Sequence, residues 1–351
     1  LLLYVYVDDL TLAGPEHAHA SFWERLTKQV DLEPPEPIGR VLGRHHDIVP
    51  LPYLSDENAA MGASEKAMVF NMSDYAAQCA ELYVSLPGAK KLKHASTPFV
   101  PEGSLVASDD EEKGELAGNA CRVLMKCLWL GRLARPDLVK PIGDLASMIT
   151  KWSVNCDRQL YRLICYIHST QHYKFTGTVQ DRPEDLVLRL YVDADFCGER
   201  LDTKSTNGGF LVLVGPRTWF PLAWVSKRQT RTSRSTTESE IASSAFSLYQ
   251  EALPAVLHWT HLLGFPIPLE VMEDNQATIL IIKKGWSPKL RHVVRTHKID
   301  LGCLSEEFED ENVSIHFVDT TKQSADIFTK SLEPQKWLNA LNLLGMRTDI
   351  I

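Results

Sequence analysis

The sequence lacks a long apolar run, a Cys-x-x-Cys pair and a basic segment ahead of its first apolar stretch. No run approaches the roughly 20 apolar residues of a transmembrane helix. The Leu-rich opening stretch holds two aspartates, which excludes a secretory signal peptide. Seven cysteines, an odd number without paired spacing, indicate reduced thiols rather than a disulfide framework or a zinc site. These absences predict an intracellular, cytoplasmic protein that has no membrane segment and is not secreted.

The chain also lacks an excess of positive charge, since its formal net charge is −8 over 351 residues. Net charge averages over domains, however, and phosphate binding needs only a local basic surface. A hydrophobic content of 44% and a charged content of 23% are ordinary for a soluble globular protein. The length allows two or three domains, each with its own core.

Two segments, 222–235 and 283–298, contain several basic residues and no acidic one. Such runs are commonly just solvated faces. In this net-acidic chain, however, the two segments flank the acidic residues that are described below as candidate catalytic residues. They therefore predict a surface that binds phosphates, and that binds them more weakly as the salt concentration increases. The predicted nucleic-acid-binding residues are Lys227, Arg228, Arg231, Arg234, Lys283, Lys284, Lys289, Arg291 and Arg295.

Four acidic residues stand where a strand-like run ends or a helix begins. They are Asp193, Glu240, Asp274 and Asp326. Carboxylates are hard oxygen ligands that suit Mg²⁺, and two-metal phosphodiester hydrolysis needs two ions about 3.5–4 Å apart on such ligands. The set predicts a catalytic site for two Mg²⁺ ions, with Mn²⁺ as an alternative ion, of the kind that a ribonuclease H uses.

Each of these acids has a competing interpretation in the sequence alone. Asp195 rivals Asp193, because alternation along a strand points both side chains to the same face. Glu238 rivals Glu240, since both belong to the same helix start. The third acid also suits a helix N-cap, for which Asp is a preferred residue, and the fourth suits an ordinary first helical turn.

The first 13 residues show an apolar strand, an Asp-Asp turn and a second apolar strand. Tyr6-Val7-Asp8-Asp9 resembles the Tyr-x-Asp-Asp hairpin of reverse transcriptases, and the downstream motifs resemble a ribonuclease H. In that order they resemble the C-terminal part of a copia-type LTR retrotransposon Pol polyprotein, over most of the chain. The resemblance over 190–330 rests on Tyr-Val-Asp-Ala-Asp (191–195), Lys-Ser-Thr-Asn-Gly-Gly (204–209), Trp-Val-Ser-Lys-Arg-Gln (224–229), Ser-Thr-Thr-Glu-Ser-Glu (235–240), Asp-Asn-Gln (274–276) and Ala-Asp-Ile-Phe-Thr-Lys (325–330).

The resemblance implies an α/β (α+β) fold in several parts. These are a truncated reverse transcriptase palm and thumb (1–100), a helical connection (101–180), a ribonuclease H domain with a mixed five-stranded sheet flanked by helices (181–335), and a C-terminal tail (336–351). Residues 49–64 are expected to form an inserted surface loop. Because the sequence opens without Met inside an apolar strand, a fragment or a degraded reading frame is expected.

The resemblance also implies an activity, which is Mg²⁺-dependent cleavage of the RNA strand of an RNA–DNA hybrid. It selects Asp193 and Glu240 over their rivals, and it gives Asp193 the role of bridging both ions. Asp8 and Asp9 would be polymerase ligands, but polymerisation is not expected without an upstream palm strand and fingers. The implied partners are the hybrid and an upstream reverse transcriptase segment, with a particle or the nucleus as alternative locations.

Two rival functions remain at this point. One is a decayed element product that only binds nucleic acid or has no activity. The other is an integrase, which shares a ribonuclease H-like fold. The absence of a zinc-binding His/Cys module and the order of the motifs disfavour the integrase.

Overall fold

The computed structural model describes residues 1–50, 66–101, 103–197 and 203–348. Most of the predicted loop 49–64 lies outside these residues. The strands are β1 (Leu2–Tyr6), β2 (Asp9–Ala13), β3 (Arg40–Val41), β4 (Arg44–Pro50), β5 (Lys66–Asn71), β6 (Lys174–Thr178), β7 (Val187–Asp195), β8 (Thr206–Val214), β9 (Trp219–Arg228), β10 (Leu269–Glu273), β11 (Val313–Phe317) and β12 (Met346–Arg347). The α-helices are α1 (His19–Thr27), α2 (Ser73–Val84), α3 (Ala120–Leu133), α4 (Val139–Ser147), α5 (Val154–Ser169), α6 (Thr236–Ser247), α7 (Leu253–Leu263), α8 (Gln276–Lys284), α9 (Val293–Thr296), α10 (Leu301–Glu306) and α11 (Pro334–Leu344).

The N-terminal residues form the predicted hairpin as a two-stranded sheet of their own. Tyr6 pairs with Asp9, so Val7 and Asp8 make a two-residue turn. Val7 has φ 55°, the left-handed conformation that such tight hairpin turns require. Tyr6, Asp8 and Asp9 are all exposed.

A mixed ten-stranded sheet in the order β11-β10-β7-β8-β9-β6-β5-β4-β3, with β12 beside β6, is the main feature of the fold. Strand β8 is antiparallel to both β7 and β9, whereas β10 is parallel to both β7 and β11. These five strands, with helices packed on them, confirm the predicted ribonuclease H-like arrangement. The sheet then continues through β6 into β5, β4 and β3, so that, with β12, strands from all four predicted segments share it. The domain boundaries stay a prediction.

Two adjacent glycines at the centre of β8 allow close packing on both faces of the sheet. A Cβ atom on Gly208 would lie 2.5 Å from the side chain of Thr329, and one on Gly209 would lie 2.6 Å from Ser247 Oγ. Every residue of β8 is buried, as expected of a central strand that is covered on both faces. Helix α6 and the segment after β11 can therefore approach the end of β7 from opposite sides.

A buried polar network joins the helices to the C-terminal residues. The guanidinium of Arg135 donates to both carboxylate oxygens of Asp137 at 2.9 and 2.7 Å. The Tyr166 hydroxyl donates to Asp137 at 2.7 Å and accepts from the Trp337 indole at 3.1 Å. Helix α11 and strand β12, which lie almost entirely in the predicted tail, are thus packed into the core. Among the described residues, no helix is both long enough and apolar enough to cross a membrane.

Replacing Trp337 with Ala should lower the free energy of unfolding by about 3–5 kcal/mol, because it removes a large side chain from a packed core. Trp337 is 1% exposed, whereas its neighbour Leu338 is 50% exposed and serves as the control in a Leu338→Ala variant. Urea denaturation of both variants measures the difference. Equal losses in the two variants would show that α11 contributes no core packing.

Candidate metal centre

The four predicted acidic residues lie on elements that meet at the C-terminal ends of strands β7 and β10. Asp193 lies near the end of β7, and Asp274 directly follows β10. Because β7 and β10 are adjacent and parallel, their C-terminal ends lie side by side, the place where open α/β sheets bind ligands. Glu240 lies in the second turn of α6, and Asp326 opens a short 3₁₀ turn after β11.

The structure brings all four acids together, in two groups. In each group, one carboxylate oxygen per residue lies within 4.8 Å of the others. The first group is Asp193, Asp274 and Asp326, and the second is Glu240, Glu273 and Asp274. Asp274 therefore belongs to both groups.

Glu273 is a fifth carboxylate that the sequence motifs did not indicate. It occupies the last position of β10, where Leu269, Val271 and Glu273 alternate as buried residues. An acid at the inward position of an apolar strand is the signal that could have identified it. Its carboxylate accepts hydrogen bonds from the Asn275 N–H and the Ser244 hydroxyl, each at 3.0 Å.

Burial and mutual repulsion raise the pKa values of the carboxylates in the second group. Burial, followed by the charges of Glu273 and Asp193, raises the pKa of Glu240 to about 11. Burial raises the pKa of Glu273 to about 8, although its two hydrogen bonds act in the opposite direction. Glu240 is 4% exposed, and its Oε2 atom is buried without a hydrogen-bond partner. A buried acceptor without a donor, among oxygens that repel one another, fits a bound cation.

In the first group, hydrogen bonds from neighbouring side chains offset part of the repulsion between the carboxylates. The Asp193 side chain accepts hydrogen bonds from the Thr329 hydroxyl and from the Lys330 ammonium. Burial and the charge of Asp193 raise the pKa of Asp326 to about 6. The same two causes raise the pKa of Asp274, whose Oδ2 accepts from the Thr320 hydroxyl at 3.1 Å.

The competing residues occupy other environments. Among the described residues, Asp195 belongs to neither carboxylate group. Glu238 is buried in the first turn of α6, where its Oε2 accepts from the Arg234 N–H and lies 3.0 Å from His292 Nε2. It therefore fastens the basic segment 283–298 to α6, and its charge also suits the first turn of a helix.

Asp274 is not the N-cap of α8. That role belongs to Asn275, whose side chain accepts from the Thr278 N–H at 3.1 Å. The Asp274 carboxylate therefore does not cap the helix, and it belongs to both carboxylate groups. The alternative interpretation of Asp274 as a helix N-cap is wrong.

The predicted basic residues are exposed, except Arg228, which is half-buried. The Lys284 ammonium lies 4.3 Å from the Trp286 ring centre, and Trp286 is itself exposed. A groove of about 480 Å³ runs between the end of β9, helix α6 and residues 297–303, and Lys227 and Phe246 are part of its lining. Cationic and aromatic groups are available on this surface for phosphates and bases.

The chain has sequence relatives along most of its length. It is 22% identical over 349 residues to the "Retrovirus-related Pol polyprotein from transposon RE1" of Arabidopsis thaliana, which covers 98% of this chain and 21% of the relative. The corresponding RE2 polyprotein of the same plant is 26% identical over 215 residues, covering 60% of this chain and 14% of the relative. The chain thus spans about a fifth or less of the length of these relatives.

Solved structures with partial similarity include the RNase H1 of the archaeon Halobacterium salinarum NRC-1, with a TM-score of 0.26 and 18% identity over 40% of this chain and 93% of that one. A foamy viral protease–reverse transcriptase in complex with dsDNA gives a TM-score of 0.20 and 18% identity over 53% of this chain and 35% of that one. No family model matches the sequence. The relationship rests on the sequence relatives: the chain is similar to the RE1 Pol polyprotein along nearly its whole length and to the RE2 polyprotein over 60% of it, which confirms the resemblance that its motifs indicated.

Proposed function

We propose that this chain is the ribonuclease H part of a retrotransposon reverse transcriptase and cleaves the RNA strand of RNA–DNA hybrids with two divalent metal ions. The observation that supports this most strongly is the convergence of five carboxylates in two groups at the ends of two parallel strands. The similarity to Pol polyproteins supports the same function.

The chemistry of the donors fits Mg²⁺, since every candidate ligand is a carboxylate oxygen. Asp193, Asp274 and Asp326 would hold one ion, and Glu240, Glu273 and Asp274 would hold the other. When bound, such ions polarise the scissile phosphate and lower the pKa of the attacking water. The geometry favours Asp274 as the shared ligand, a role that the sequence resemblance gave to Asp193.

The protein contributes the position and the charge state of these oxygens. Ser243 donates to the Asp193 carbonyl at 2.6 Å, and Ser244 donates to Glu273 at 3.0 Å. Both serines lie on α6 with Glu240, so one helix carries one carboxylate, bonds to the carboxylate of Glu273 and holds the backbone at Asp193. Fixed ligands of this kind hold the reacting groups in place without reorganisation during the reaction.

Substrate selection is expected from the exposed basic residues. Phosphate contacts fix the register of a duplex without reading its sequence. Hybrids are distinguished from other duplexes by their shape and by 2′-hydroxyl contacts. The basic segment 283–298 is fastened to α6 through His292 and Glu238, only two residues from Glu240. A duplex bound there would lie next to the acids.

Replacing Asp274 with Asn should reduce cleavage of a labelled RNA–DNA hybrid by more than about 100-fold, because loss of a mere supporting partner of a metal ligand already costs about 10–100-fold. The assay uses the full 351-residue chain in Mg²⁺, with an RNA duplex as the substrate control and Asp310→Asn, at an exposed acid, as the matched variant. If the folded wild-type protein binds the hybrid but does not cleave it, the proposed nuclease function is wrong and the binding-only function takes its place.

Without divalent ions, the stability of the folded protein should fall as pH rises from about 5 to about 8. The folded pKa values of Glu240, about 11, and Glu273, about 8, lie above the ordinary glutamate value. The folded state therefore retains protons that the unfolded chain releases in this range, and the slope of stability against pH is negative. The loss at Glu273 is complete above its folded pKa, whereas that at Glu240 continues to higher pH.

Replacing Glu240 with Gln removes one of these penalties. In EDTA at pH 8 this variant should be more stable than wild type, by on the order of 1–3 kcal/mol, since each pKa unit corresponds to about 1.4 kcal/mol. Glu81→Gln, at an exposed glutamate of α2, is the control and should change nothing. Thermal or urea unfolding at pH 5 and pH 8 measures both, and a less stable Glu240→Gln protein at pH 8 would contradict the assignment.

A double replacement of Lys283 and Lys284 with Ala should weaken hybrid binding and flatten its dependence on salt. Each lost phosphate contact reduces the slope of log affinity against log salt by about 0.9, so a reduction of roughly 1–2 is expected. Lys90 and Lys91 are an exposed adjacent pair outside the basic segments, and their double Ala variant is the matched control. Fluorescence anisotropy at several salt concentrations distinguishes the two, and equal slopes would place the binding surface elsewhere.

A further inference from the structure

Lys330 lies inside the first carboxylate group. Its ammonium nitrogen is 3.0 Å from Asp193 Oδ1 and 2.6 Å from Asp326 Oδ1. These two carboxylates and that of Asp274 make up the first of the two groups that could hold a metal ion. A cationic side chain of the protein and a divalent ion would therefore use the same pair of ligands.

The position of Lys330 is set by the local backbone. The short turn that begins at Asp326 ends with the Lys330 N–H bonded to the Asp326 carbonyl at 3.0 Å. This places the two side chains four residues apart on one side of the turn. Thr329, the residue between turn and lysine, donates to the other oxygen of Asp193. Gly208, which has no side chain beneath Thr329, allows this segment to approach β7.

The charges explain why the lysine is held there. Asp193 is 1% exposed, and Asp326 is largely buried, so their repulsion is poorly screened by water. Burial by itself lowers the pKa of the Lys330 ammonium, but the charges of Asp193 and Asp326 outweigh this and raise the pKa above its ordinary value. The Lys330 ammonium therefore lies as a positive charge between the two acids.

An ammonium and a divalent ion do not fit together on these oxygens. Mg²⁺ binds carboxylate oxygens at about 2.0–2.1 Å. An ion on Asp193 Oδ1 would lie at most about 5 Å from an ammonium 3.0 Å from the same atom, and the two positive charges would repel. Lys330 has a flexible four-carbon stem and is 37% exposed, so its charge can move into solvent.

We propose that Lys330 is a built-in cation that competes with a divalent ion for Asp193 and Asp326. Binding of an ion to this group requires Lys330 to swing out, which lowers the affinity of the group. The group of Glu240, Glu273 and Asp274 has no lysine on its oxygens among the described contacts, so this competition is confined to the first group. This inference rests on the proposed function, since it assumes that the acids bind divalent ions.

Isothermal titration calorimetry of the full chain with Mn²⁺ alone, which measures the affinity for the ion, tests the proposal. Lys330→Met and Lys330→Gln, which both remove the charge, should tighten Mn²⁺ binding to one site by about 10-fold or more, because the ion no longer displaces a cation. Lys336→Met, at an exposed lysine of α11, is the matched control and should bind as wild type does. Both charge-removing variants should also unfold at a lower temperature than wild type in EDTA and regain more stability from Mn²⁺.

A measurement on the wild-type protein makes the test independent of variant folding. Acetylation of Lys330 by an amine-reactive ester, followed by mass spectrometry and normalised to Lys336, should accelerate several-fold when Mn²⁺ is added. Unchanged or slower acetylation, or unchanged or weaker Mn²⁺ binding in the variants, would overturn the role of Lys330 while leaving hybrid cleavage intact. Failure of every protein to bind Mn²⁺ would overturn the proposed nuclease as well.

Discussion

The repulsion among five clustered carboxylates, three of them buried, is the constraint around which the rest of the site is arranged. Glu240 and Glu273 have raised pKa values because burial and neighbouring charge both disfavour their ionised forms. Hydrogen bonds from Ser244 and Asn275 and the charge of Lys330 offset part of this cost. A fold that holds such a cluster gives up stability at these strand ends, and a cation bound by the carboxylates would restore it.

The scaffold tolerates that cost because the surrounding packing is dense and extends far from the acids. The buried strand β8, with Gly208 and Gly209, lets elements from both faces close on the end of β7. Farther away, the buried Arg135–Asp137 pair connects the helices to Trp337 of α11 through Tyr166. Removal of one member of such a pair leaves an uncompensated buried charge, so the C-terminal helix α11 and the helices that carry this network are stabilised together.

The acids and the basic surface are also physically coupled. Helix α6 carries Glu240 toward the carboxylates and Ser243 toward Asp193. Two residues before Glu240, Glu238 holds His292 of the basic segment, and His297 Nε2 lies 3.2 Å from its other oxygen without the alignment of a hydrogen bond. A duplex that moves the basic segment would therefore act on the helix that orients the ligands.

The sequence by itself determined the hairpin around Asp8 and Asp9, the mixed five-stranded arrangement flanked by helices, and four acids that the structure brings together. These features depend on local alternation, cap residues and short motifs. Only the tertiary structure decided that Glu273 joins the acids, that Asp274 is shared by both groups, and that Lys330 lies between Asp193 and Asp326. It also decided that the sheet continues beyond β9 and that α11 is part of the core. These features arise from contacts between residues far apart in the chain, whose pairing no local pattern specifies, because the free energy of burial is gained only when the distant partners meet.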